Sequence, residues 1–149
     1  MEEYNSNKKT QTLSLKMITV CSNCFARLDK CNCKCTNKHS FFVDKNIQPI
    51  LEILNNKGYK TLYSCESHTE ISPYDFCMYI MFKEPIPKEL QNIKDFSFEK
   101  KNTIIQYLIT DVEKKSIIEL VKEKEIHLKM LYNWSKSLPN KTGDLKNEC

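Results

Sequence analysis

The stretch "CSNCFARLDKCNCKC", Cys21 to Cys35, places five of the chain's eight cysteines within one short segment. No other feature constrains the fold as much, because so many thiols this close must share a bond, a metal or a reactive site. The start of the sequence, "MEEYNSNKKTQT", is acidic and then polar, with no apolar core of a secretory signal. No apolar run approaches the ~20 residues a membrane span needs. These features predict a chain kept in a reducing cytoplasm, where clustered cysteines are metal ligands more often than disulfide partners.

Spacing then selects the ligands. Cys21 and Cys24 form a C-x2-C pair, whose tight turn points two sulfurs at one ion. Cys31, Cys33 and Cys35 alternate by two, so an extended chain brings them to one face. Zinc takes four tetrahedral ligands, and Cys21, Cys24, Cys31 and Cys33 make the most compact all-thiolate set, with Cys35 or His39 as substitutes for one member. The loop "FARLD" between the pairs is too short for a core of its own, so metal would supply much of the module's folding free energy. One structural Zn2+ is expected. A catalytic zinc would need an open position and a nearby base, and neither is evident.

Composition removes several other function classes. Gly58 and Gly143 are the only glycines. A phosphate-binding Walker loop or a dinucleotide fingerprint needs several at fixed spacing, so both are excluded. All the basic residues but Arg27 are lysine, and Lys, Asn and Ile dominate the chain while Ala26 is its one alanine. Such usage follows A/T-rich codons, which weakens any argument from the net charge of +4. Base reading by arginine forks is correspondingly poorly served.

Along the chain, 1–12 reads as a mobile segment, 13–40 as the zinc-knuckle module, 41–138 as an α+β domain and 139–149 as a polar tail. "LSLKMITV" predicts a strand feeding the cysteines. "FFVDKNIQPILEILNNKGY" predicts a helix with Asn46 as N-cap, Pro49 in the first turn, an apolar stripe of Ile47, Ile50, Leu51 and Leu54, and Gly58 at the C′ position. Strands are expected over 59–65 and 76–82, and two more in "DFSFEKKNTIIQYLIT" around the polar turn "EKKN". A long helix should run from Asp111, capped there or by Thr110, to about Ser137. Its stripe is Ile117, Leu120, Val121, Leu128, Leu131 and Trp134, interrupted by Lys124. The expected fold is α+β: a small N-terminal zinc knuckle, then an antiparallel sheet of about four strands covered by two helices, the C-terminal one long.

A second candidate site lies where the strand "YKTLYSC" runs into "ESHTE". Ser64, Cys65, Glu66 and His68 are candidate binding residues. Cys65 and His68 also suit a thiolate–imidazole pair, or a second metal half-site with Cys77. The bland account is a strand cysteine followed by a polar turn. No catalytic residue is assigned.

The run "VDKNIQPILEILNNKGYKTLYSCESH…YIMF" resembles a family of small, mostly uncharacterised proteins of Firmicutes, their phages and prophages. Members combine an N-terminal cysteine knuckle with a D-x-x-I-x-P-I-x-x-L-N-x-K-G-Y-x-T pattern and then S-C-S-G-H. The resemblance spans about residues 21 to 82. Asp44, Pro49, Asn55, Gly58, Tyr59, Thr61, Ser64, Cys65 and His68 fit the pattern, while Glu66 and Ser67 replace its Ser and Gly. That replacement adds a negative charge and removes the glycine's φ > 0 option at the turn. A shorter likeness links Ser64–Cys65 to the S-C-S-G segment of the wybutosine-tRNA methyltransferase family, over too few residues to carry an activity.

The resemblance, the small size and the want of an assembled catalytic constellation imply a phage or mobile-element accessory protein that binds and inhibits a host component. A defence-system inhibitor of anti-CRISPR type is its most concrete form, with a host protein or ribonucleoprotein as partner and no membrane involved. One alternative is a nucleic-acid or nucleotide-binding zinc module using Lys30, Lys34, Lys38 and Lys45. Another is a small enzyme acting through Cys65, Glu66 and His68 on a nucleotide or modified base. The oligomeric state is left open.

Overall fold

The computed structural model describes residues 16–34, 39–67, 77–109 and 112–141. Its elements are β1 (Met17–Cys21), β2 (Ser40–Asp44), α1 (Gln48–Asn56), β3 (Thr61–Cys65), β4 (Cys77–Phe82), β5 (Ser97–Glu99), β6 (Ile104–Leu108) and α2 (Ile117–Ser137). All strand pairings are antiparallel, in a two-stranded sheet β1-β2 and a four-stranded sheet β3-β4-β6-β5. The expected α+β class, the two helices and the long C-terminal one are all present.

The first hairpin is the main departure from expectation, because "SFFVD" is a strand and not the approach to a helix. Instead β2 pairs with β1, from Met17 opposite Asp44 to Cys21 opposite Ser40. Directly opposed residues share a face. Ile18, Val20, Phe41 and Val43 therefore look inward, and Met17, Thr19 and Phe42 look outward. Val20, Phe25 and Val43 belong to the same apolar cluster as Ile47, Leu51 and Leu54, Met78, Ile80 and Phe82, and Leu131 and Trp134. The cysteine segment thus leans on the core of the larger sheet.

Alternation in β4 sets the two faces of that sheet. Met78, Ile80 and Phe82 are buried, whereas Cys77, Tyr79 and Met81 are half-buried. Register carries the pattern across, with Ile80 opposite Ile105 and Tyr79 opposite both Cys65 and Gln106. Burying each large apolar side chain contributes about 1.5–3 kcal/mol, so the inward row anchors the sheet on its helices. A register shift between Thr61 and Tyr63 leaves Leu62 and Tyr63 both exposed. The "EKKN" turn does join two strands, but through three successive residues at positive φ: Lys100, Lys101 and Asn102. Asn102 suits that region and the lysines do not, so the hairpin contacts hold them there.

Both helices are capped differently from expectation. In α1 the N-cap is Ile47, with Pro49 in the first turn as predicted and no side-chain cap of its own. Gly58 takes φ 98° after its end, as the C′ position requires. In α2 the cap is Ser116, not Thr110 or Asp111, which lie outside the described residues. Ser116 Oγ accepts from the Glu119 amide while Glu119 bonds back to the Ser116 amide. This S-x-x-E box fixes the start six residues later than the apolar pattern suggested. Ile117 consequently lies at the helix mouth, 45% exposed, and not on the buried stripe. Trp134 is core: its Nε1 donates to Leu90 O at 2.9 Å, and its ring meets Phe82 and Phe98 edge-on.

The other end of α2 is closed by a distant side chain. Lys57 Nζ donates to the carbonyls of Ser135, Lys136 and Leu138 at 3.0, 2.6 and 2.6 Å. Tyr59 Oη adds a bond to Pro139 O at 2.6 Å. The residues after α1 therefore satisfy carbonyls that α2 leaves without intrahelical partners.

Candidate functional site

The metal-ligand geometry begins at the end of β1, where Cys21 is fully buried. The Phe25 amide donates to Cys21 O at 2.9 Å and the Cys21 amide to Ala26 O at 3.0 Å, so the chain turns back through Cys24 beside β1. Within the turn the Asn23 amide points at Cys21 Sγ, 3.4 Å away. Closing it requires Phe25 to take φ 61°, a region hostile to a bulky residue. Burial of the ring, its edge contact with Phe41 and a bond from Gln48 Nε2 to Phe25 O hold it in place. A short 3-10 turn, Leu28–Lys30, then returns Cys31 and Cys33 to the pair.

Four sulfurs result, those of Cys21, Cys24, Cys31 and Cys33, all within 4.8 Å of one another. Cys21–Cys33 is 3.6 Å, Cys24–Cys31 3.7 Å and Cys31–Cys33 3.5 Å. A disulfide would need about 2.05 Å, so these are thiol contacts. A tetrahedral ion bonded to four sulfurs at about 2.3 Å has sulfur–sulfur edges of about 3.8 Å, close to these separations. The four cysteines can therefore hold a metal ion with little rearrangement. Electrostatics agree: burial, with Cys31 and Cys21 alongside, pushes the Cys24 thiol up to about 12, against an opposing bond from the Ala26 backbone. Thiolates at this spacing need a cation, whose arrival displaces their protons.

Of the two substitutes, Cys35 lies outside the described residues. His39 is exposed and does not join the sulfur group. Its main chain instead closes the hairpin, donating to Ser22 Oγ and accepting from the Ser22 amide, both at 2.8 Å. Among the described residues this is the one group of three or more Cys, His, Asp or Glu side chains arranged to hold an ion.

At the second candidate site Ser64 and Cys65 end β3, and His68 lies outside the described residues. Glu66, expected to meet a ligand, is buried. Its Oε1 accepts the amides of Asn46 at 2.7 Å and Ile47 at 3.0 Å, and its Oε2 accepts Asn46 Nδ2 at 2.8 Å. Lys124 Nζ completes the set at 2.9 Å. The Glu66 amide in turn donates to Asp44 Oδ2 at 3.0 Å. Glu66 thus supplies the N-terminal acceptor that α1 lacks, and its carboxylate has no room for a ligand. Lys124, which interrupts the helical stripe, is the sequence signal for this pair: a lysine on a core-facing position demands a buried anion.

Cys65 sits opposite Tyr79 on the outer face of the sheet. Burial pushes its thiol up, and nearby Asp44, Cys77 and Glu66 act in the same direction against a bond from the Ser67 amide. Such a thiol is a poor nucleophile at neutral pH. Ser67 takes φ 81°, so the positive-φ turn forms here without a glycine, contrary to expectation.

No family model, curated protein or solved structure matches the chain. Among the described residues no helix is long and apolar enough to cross a membrane.

Proposed function

We propose that this is a zinc-stapled binding protein, an accessory protein of phage or mobile-element kind that docks on a host component and inhibits it. A defence-system inhibitor of anti-CRISPR type is the form we favour. Zinc is the natural occupant of four thiolates, because it is soft enough for sulfur and content with a closed tetrahedron. Its role here is to fix a hairpin, since all four positions are filled by protein and none is open for chemistry.

The observation that carries the binding reading is the outward face of that stapled hairpin. Phe42 is 67% exposed and Met17 53%, on a ribbon whose other face is core. Two exposed apolar side chains on one face of a rigid support suit a protein contact. The test is expression of the wild type and Phe42→Ala in a host with active immunity. The wild type should depress immunity, and the variant should fail to do so while keeping its metal. No effect of the wild type on any immune system tried would reject the inhibitor reading.

A second reading has one observation in its favour: Arg27, Lys30 and Lys34 are exposed beside the cysteines. A nucleic-acid role through them predicts affinity that falls steeply with salt. Absence of any shift with RNA or DNA at low salt would dismiss it. The enzymatic alternative has lost Glu66 to the ion pair with Lys124.

A further inference from the structure

Away from both sites, one buried histidine is surrounded in a way that restricts its protonation. His127, on α2, is 4% exposed. Its Nδ1 lies 2.8 Å from Glu123 O, a main-chain carbonyl, and its Nε2 lies 3.1 Å from Asp95 Oδ2. A carbonyl oxygen and a carboxylate oxygen both accept hydrogen bonds. A neutral imidazole carries one N–H and one lone pair, so it would satisfy only one of them and aim its lone pair at the other.

Among the described residues, the connector, α2 and β6 each present to the ring a group suited to a cation. Asp95 comes from the connector between β4 and β5. Glu123 comes from α2, its Oε1 3.6 Å from Nδ1. Tyr107 comes from β6 and stacks on the imidazole at 3.6 Å with an interplanar angle of 11°. The Tyr107 hydroxyl stays a donor, held above its ordinary range by burial and by its 2.7 Å bond to Glu123 Oε1. Phe96 closes the pocket with its ring 5.8 Å away.

We propose that His127 is held as a doubly protonated imidazolium whose Nε2 proton latches the connector onto α2, and that loss of that proton opens the latch. Asp95 is the moving part. It is fixed at φ 71°, a conformation that asparagine and aspartate tolerate but do not favour. The rest of the connector is pinned separately, by Trp134 to Leu90 O, by Gln91 Nε2 to Ile86 O and by Ile93 and Phe96 against the core, so opening is confined to the backbone around Asp95.

The test is NMR of the intact chain with its metal, following the His127 ring nitrogens and the connector amides. At mildly acidic pH both ring nitrogens should carry protons. As pH rises, loss of the Nε2 proton should coincide with a shift of the amides of Asn92 to Phe96. In Asp95→Asn an amide can donate to the bare nitrogen, so the connector signals should hold still over the same interval. A wild-type ring with a single N–H throughout would overturn the proposal, as would connector signals that ignore the ring's titration. Equal pH response in D95N would overturn it too, and if that variant fails to fold the wild-type ring spectrum decides alone.

Discussion

Lys124 Nζ lies 2.9 Å from Glu66 Oε2, and each side chain is only 3% exposed. This buried pair joins the middle of α2 to the end of β3. Through the Asn46 and Ile47 amides it also reaches the start of α1. Removing one charge strands the other in a dry site. Lys124→Met should therefore lower stability by roughly 3–5 kcal/mol. In denaturant unfolding, the Lys124→Met/Glu66→Gln double variant should lose less than the sum of its singles, and strict additivity would show that the two residues are not coupled.

The four-sulfur group predicts about one zinc per chain. Cys33→Ser should reduce the bound metal, lower the melting temperature and loosen the segment around 20–34, because Val20 and Phe25 reach the common core. Cys65→Ser should leave the metal content unchanged. Elemental analysis with native mass spectrometry measures both, and equal metal loss from the two variants would show that the ligand set is wrong.

Lys57 offers a sharper test of helix closure. Its ammonium meets three carbonyls at the end of α2. Replacing it by methionine should cost roughly 1.5–3 kcal/mol, the scale of hydrogen bonds that involve a charged group. Arginine should recover part of that loss. Thermal melts of the two variants decide it, and a methionine variant as stable as the wild type would refute the cap.

Glu119 gives α2 a pH dependence. Its bonds with the Ser116 backbone and side chain hold its carboxyl below the usual range. A depressed carboxylate contributes stability above its unfolded value, near 4.3, and loses that contribution as pH falls through its lower folded value. The first turn of α2 should therefore fray below about pH 4, visible as a loss of helical circular dichroism. Glu119→Gln should lack that acid step. Ser116→Ala should cost about 1 kcal/mol.

Cys65 should react slowly. With burial holding its thiol up, alkylation of the metal-loaded protein at neutral pH should lag behind that of an ordinary exposed cysteine and accelerate as pH rises. Mass spectrometry of the modified peptide reads the rate. Fast, pH-independent labelling would revive a nucleophilic role.

What the sequence determined by itself was local. The C-x2-C pair and the alternating cysteines lie within a few residues of one another, so the four-sulfur group was legible from spacing. The same is true of the stripe in α1, of Gly58 after its end and of the alternation in β4, because each is a repeat read over one or two turns or one strand. Tertiary structure decided everything that required a partner far along the chain. The pairing of β2 with β1 turned "SFFVD" into a strand, since its inward residues find Ile18 and Val20 only once the cysteine loop has closed. Glu66 became a helix cap and the partner of Lys124, and Lys57 a cap for α2, by juxtapositions that no short pattern encodes. Short-range rules act on residues already adjacent, whereas a buried charge is satisfied by whichever opposite group the packed core delivers.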